Sequence, residues 1–155
     1  MSNEQQRRHK GNRGGGNRDN GPDARSILNK VKIKRSDDEG LEPEIFSETA
    51  EAMAKMIAEN GRPPKPTQIR NFFDEVVMWE ERARQDENRF PEYLPFIRML
   101  NAKAAYAKGR GHVTENFVNM IAHCLKQVDD VDSLRNFKLF FEAFLGFYKL
   151  HGPKG

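Results

Sequence analysis

The chain has 155 residues, 37% of them apolar and 32% charged, with a formal net charge of +3. It has room for one domain, and a mean hydropathy of -0.84 implies that part of it adds nothing to a core. A single cysteine, Cys124, excludes an internal disulfide framework, and no run of apolar residues is long enough to span a membrane.

The charge is unevenly placed. Residues 1–35 carry ten Lys and Arg against Glu4, Asp19 and Asp23, so the remainder, with 16 bases and 20 acids, is acidic. The N-terminus is basic but polar throughout, without the apolar stretch of a signal peptide, so a cytoplasmic location is expected.

From Met1 to about Gly40 the chain is rich in Arg, Asn, Gly and Asp, and its apolar residues gather only at Ile27, Leu28, Val31 and Ile33. Such a stretch offers little burial against a chain entropy of roughly 1–2 kcal/mol per residue, so residues 1–42 are expected to be a disordered basic tail. Arg13-Gly14-Gly15 is one copy of a motif common in RNA-binding tails; the tail reads as solubilising, with nonspecific affinity for polyanions.

A helical domain is expected over 43–155. Pro43 suits a first turn, and Phe46, Ala50, Met53 and Ile57 form a stripe that ends near Asn60 and Gly61. After the Pro63-Pro64-Lys65-Pro66 break, a second helix starts near Thr67 with Ile69, Phe72, Phe73, Val76 and Val77 on one face. Its acids Asp74, Glu75, Glu80 and Glu81 spread around the axis and read as a solvated face.

Pro91 can open a third helix whose buried stripe is Tyr93, Phe96, Ile97, Leu100, Ala104 and Ala107, with Pro95 in its first turn and Gly109 and Gly111 as its stop. Thr114 suits the N-cap of a fourth helix burying Phe117, Ile121, Cys124, Leu125 and Val128, with His123 pointing to the surface. Asp132 or Ser133 then caps a fifth, from about Leu134 to Leu150, whose polar Arg135, Lys138, Glu142 and Lys149 occupy a sector of roughly 60°. A helix so nearly apolar is either the centre of the bundle or a surface that a partner covers. Strand-like alternation is absent, and the expected fold is an all-α bundle of about five helices.

Chemistry is sparse. His9, His112, His123 and His151 are dispersed without metal-ligand spacing, no phosphate-binding glycine loop is present, and Cys124 lies on an apolar stripe where its thiol is inert. No catalytic residue, metal or cofactor is expected. What remains is an acid-free run from Phe96 to Val113 carrying Arg98, Lys103, Lys108 and Arg110. Lys103, Tyr106 and Arg110 recur at i, i+3 and i+7 and so share one helical flank. Two cations around a ring suit a nucleic-acid strand, the charges meeting phosphates and the ring a base. The alternative is a set of solvated cations near a helix C-terminus, favoured there by the helix dipole.

Four phrases in order, Thr67-Gln-Ile-Arg70 running into Asn71–Val76, Leu94–Leu100, Lys103–Arg110 and Leu134–Ala143, make the chain similar to the small helical subunit of type III-A (Csm-type) CRISPR-Cas effector complexes over residues 48–150. The resemblance implies a non-catalytic bundle that stacks by self-association as the inner filament of a ribonucleoprotein. Its partners would be guide RNA and target RNA, the backbone subunits that hold the guide, and a large polymerase-like subunit. It also places the family's basic and aromatic RNA-contacting positions at Arg70, Lys103, Tyr106, Lys108 and Arg110. The competing reading is a helical protein-interaction adaptor, motivated by the Phe-rich last helix, with RNA affinity only through the tail.

Overall fold

The computed structural model describes residues 22–34 and 39–154. All regular structure among the described residues is helical: α1 (Pro22–Lys30), α2 (Ala50–Glu59), α3 (Pro66–Gln85), α4 (Phe90–Arg98), α5 (Leu100–Gly109), α6 (Glu115–Gln127) and α7 (Val131–His151), with a π-turn at Ile45–Thr49 and a 3-10 turn at Glu87–Arg89.

The bundle is built around α7. Leu134, Phe137, Phe140, Phe141, Phe144 and Tyr148 are fully buried, so the Phe-rich helix is the centre of the bundle and not an uncovered face. Helices α2 and α3 flank it, α5 pairs with α6 beside them, and α4 bridges α3 to α5. Phe141 is the hub: its ring meets Phe73 of α3 at 5.5 Å, Phe117 of α6 at 6.4 Å, and Phe137 and Phe144 of its own helix at 5.9 and 6.0 Å. The Tyr148 hydroxyl donates to the carbonyl of buried Pro64, tying the α2–α3 connection to α7. Burial pushes that phenol up to about 12.

Helix ends largely follow local chemistry. Thr114 caps α6 as expected, its hydroxyl accepting from the Phe117 N–H at 3.4 Å. At α7 the cap lies earlier than expected: Asp130 is the N-cap, and Ser133 completes a capping box from inside the first turn. The tight turn between α5 and α6 uses Gly111 at φ 75°, a backbone that side chains with a Cβ disfavour.

Three expectations give way to packing. The third helix is two. Because α4 begins at Phe90, Pro95 falls in its second turn and not its first, and the helix runs through it to Arg98 before the path breaks at Met99. Phe96, expected on the buried stripe, is 54% exposed, since the buried line through α4 and α5 is Phe90, Ile97, Leu100, Ala104 and Ala107. Glu80, expected in solvent, is 1% exposed and is held by Lys138 at 3.4 Å and Arg84 at 3.9 Å. A carboxylate so placed is tolerated because both oxygens meet a cation.

The largest difference lies before the domain. Residues 1–21 and 35–38 are outside the described residues, but 22–34 belong to the fold. Ile27 and Leu28 pack against the core, and Val31 and Ile33 are fully buried. The chain at 31–34 lies as a strap across α6 and the start of α7. His123 Nε2 and Gln127 Nε2 each donate to the Val31 carbonyl at 2.9 Å, and the Ile33 N–H donates to Gln127 Oε1 at 3.0 Å. Asn136 Nδ2 donates to the Ile33 carbonyl at 2.9 Å, and Lys34 pairs with Asp129. His123 is thus half-buried and bonded, not a surface residue. Four apolar side chains and a satisfied backbone offset the entropy that the tail's composition could not.

Two outcomes follow. Phe141→Ala should cost about 3–5 kcal/mol, read as a shift in denaturant midpoint, because it empties the contact of three helices. Burial holds His123 below its ordinary value, with Lys126 adding repulsion. A lowered folded value means that the unfolded chain takes up the proton first, so stability is full above about pH 6.5 and is lost as pH falls through the folded value. The amide protection factor at Ile33 should therefore drop between about pH 7 and about pH 5.5. His123→Gln, which keeps a donor without a titration, should flatten that dependence.

Candidate nucleic-acid interface

The five residues expected to meet RNA divide into two places. Lys103, Tyr106, Lys108 and Arg110 lie on α5 and at its C-terminal end, all exposed, with Tyr106 at 67%. At about 100° per residue, Tyr106 and Arg110 stay within about 60° of Lys103, whereas Lys108 lies about 140° away. Arg70 is elsewhere. It lines a cleft of about 430 Å³ between α3 and α7 with Phe73, Glu142, Leu145 and Lys149. Glu75, which faces α5, is about 140° around α3 from Arg70.

The flank is partly self-neutralised. Lys103 pairs with Glu75 of α3 at 2.6 Å, and Lys108 with Glu115 of α6 at 3.0 Å. Arg110 turns to its own helix, donating to the Tyr106 hydroxyl at 3.3 Å with its guanidinium 5.8 Å from the ring centre. These exposed pairs are each worth roughly 0–1 kcal/mol, so a polyanion can displace the carboxylates at small cost. The sequence predicted the shared flank but not the carboxylates facing it, because Glu75 and Glu115 come from other helices.

A second group adjoins the flank, in which the sequence had placed Tyr93 and Phe96 on a buried stripe and had not singled out Trp79 or Arg82. Trp79 of α3 stacks with Phe96 of α4 at 5.9 Å and 21° between planes, and meets Tyr93 at 5.7 Å. Arg82 stands 5.3 Å from the Trp79 ring, and Arg89, bound to Glu92, stands 5.6 Å from Tyr93. Met78 and Met99 are also exposed, so four of the five exposed large apolar side chains among the described residues lie on α3, α4, α5 or the α4–α5 junction. The available signal was Trp79 and Arg82 at i and i+3, with cations and rings interleaved.

Other chemistry is muted. Cys124 is fully buried, and desolvation pushes its thiol far up. Among the described residues no three His, Cys, Asp or Glu side chains converge as a metal site requires, and no helix is long and apolar enough to cross a membrane.

A family model described as Csm2 Type III-A matches residues 40–154, which takes in α2 to α7 and both clusters of cations and rings. Comparison with curated proteins and with solved structures returned no match.

Proposed function

The chain belongs to the type III-A Csm2 family and is a type III-A CRISPR small subunit; on that premise we propose that it works without a catalytic centre, as an inner-filament protein that holds the backbone of guide and target RNA. The family match is the observation that carries the reading, and the α5 flank gives it a surface. Lys103 and Arg110 meet phosphates and Tyr106 lies between them; Lys108 and Arg70 reach the strand from other sides of the bundle, as different copies or different parts of one path.

The physics of the body suits this role. Its net charge is acidic, so one copy binds RNA weakly, and stacking successive copies along a strand supplies avidity. Phosphate contacts carry no base information, which leaves sequence to guide–target pairing. The backbone subunits that hold the guide and the large polymerase-like subunit are the expected neighbours, in the cytoplasm. A protein-interaction adaptor had its motive in the Phe-rich helix, whose Phe137, Phe140, Phe141 and Phe144 are fully buried in the core.

Three or four phosphate contacts to a single strand predict a log-log salt slope of roughly -2 to -3 per copy, at about -0.7 each. Lys103→Ala with Arg110→Ala should weaken single-stranded RNA binding and flatten that slope without regard to sequence. Binding is measured across salt in the full chain and in a chain lacking residues 1–21, a truncation that spares the strap. An affinity and slope unmoved by the double substitution in the shortened chain would contradict the reading.

A further inference from the structure

The stacked pair Trp79–Phe96 adjoins the α5 flank, and its uncharged rings have no part in the phosphate contacts proposed above. Phe96 stands near the end of α4 and Met99 at the junction, while Lys103, Tyr106 and Arg110 follow at intervals of three and four along α5 and its C-cap. Trp79 lies one turn along α3 from Glu75, the partner of Lys103, so α3 joins the two groups. Between Glu92 and Glu115 the chain has no acid, and it carries Arg98, Lys103, Lys108 and Arg110.

We infer that Trp79 and Phe96 form a stacking platform for an unpaired nucleobase of the RNA whose phosphates the α5 flank holds, an inference that rests on the RNA-binding reading above. Three features favour a base over a protein side chain. Phe96 offers a ring that is 54% exposed, backed by Trp79 in a nearly parallel plane, so its orientation is fixed before a ligand arrives. Each of Trp79, Tyr93 and Tyr106 has a guanidinium within 6 Å, from Arg82, Arg89 and Arg110, which surrounds the rings with charge where the centre of a protein interface is depleted of it. Beyond the rings, Lys103 and Arg110 on the same flank offer cations to the strand, Lys103 facing the Glu75 carboxylate of α3 at 2.6 Å. Rings and guanidinium planes that alternate along a cationic track suit single-stranded nucleic acid of any sequence, because every base has a stacking face.

Trp79 is the sole tryptophan, so its fluorescence reports this platform alone. The full chain is titrated with single-stranded RNA and with an abasic ribose-phosphate oligomer of equal length, affinity being read from the anisotropy of end-labelled strands. Base-bearing RNA should quench Trp79, and the abasic strand should bind without quenching. Phe96→Ala, checked by circular dichroism, should weaken binding of base-bearing RNA about fivefold to a hundredfold and leave abasic affinity unchanged, while Phe96→Tyr retains both. Equal fluorescence responses to the two strands, or an unaltered affinity in Phe96→Ala, would overturn the platform; if Lys103→Ala with Arg110→Ala still weakens both strands, the phosphate reading survives it. A chain that binds neither strand loses both proposals. If Phe96→Ala instead disrupts association between copies in sedimentation and leaves RNA affinity intact, the patch is a protein contact and the inference fails.

Discussion

The fold depends on one constraint: α7 has almost no face that water will accept. A helix that carries Phe137, Phe140, Phe141, Phe144 and Tyr148 at complete burial must be covered on all but the narrow face of Arg135, Glu142 and Lys149, and α2, α3 and α6 lie against it and cover it. Burying each such ring contributes about 1.5–3 kcal/mol, with a further gain of about 0.5–1.5 kcal/mol where rings meet edge to face. Phe141 concentrates this effect, since its ring contacts α3 and α6 as well as its own helix. The polar groups admitted to this interior are individually answered: Glu80 by Lys138 and Arg84, and the Tyr148 hydroxyl by Pro64.

That arrangement also decides what remains for function. With the rings of α7 occupied in the core, the exposed rings Phe96 and Tyr106 lie on α4 and α5, with Lys103 and Arg110 beside Tyr106 and Trp79 of α3 against Phe96. The break at Met99 matters here. Before it, α4 turns Ile97 inward and leaves Phe96 about 100° away on the outer surface beside Trp79; after it, α5 starts at Leu100 with its own buried line. A protein whose body is net acidic thereby presents one cationic, aromatic surface, which is the pattern expected of a subunit that binds RNA through many weak, repeated contacts.

Sequence periodicity made the helical class, the cap at Thr114 and the burial of Phe117, Ile121, Cys124 and Leu125 legible, because each depends on residues within a few positions of one another. It also placed Lys103, Tyr106 and Arg110 on one flank. What it could not supply was the neighbour across that flank. Glu75 and Glu115, which neutralise the lysines, and Trp79, which backs Phe96, come from other helices, so no local pattern contains them. The strap failed for a different reason. Averaged over the Arg- and Gly-rich tail, Ile27, Leu28, Val31 and Ile33 are too few to build a core, yet they needed only to complete one that α6 and α7 had already formed, with His123, Gln127 and Asn136 waiting to satisfy the backbone.

The central claim is that the surface built from α4 and α5 faces RNA when the subunit is assembled. It is tested most directly by ultraviolet cross-linking of the intact ribonucleoprotein, followed by mass spectrometry of the peptides that carry nucleotide. The account predicts nucleotide adducts on peptides spanning residues 96–110, with Phe96 and Tyr106 as the expected attachment points. Adducts confined to the segment before residue 35, with none on α4 or α5, would contradict it.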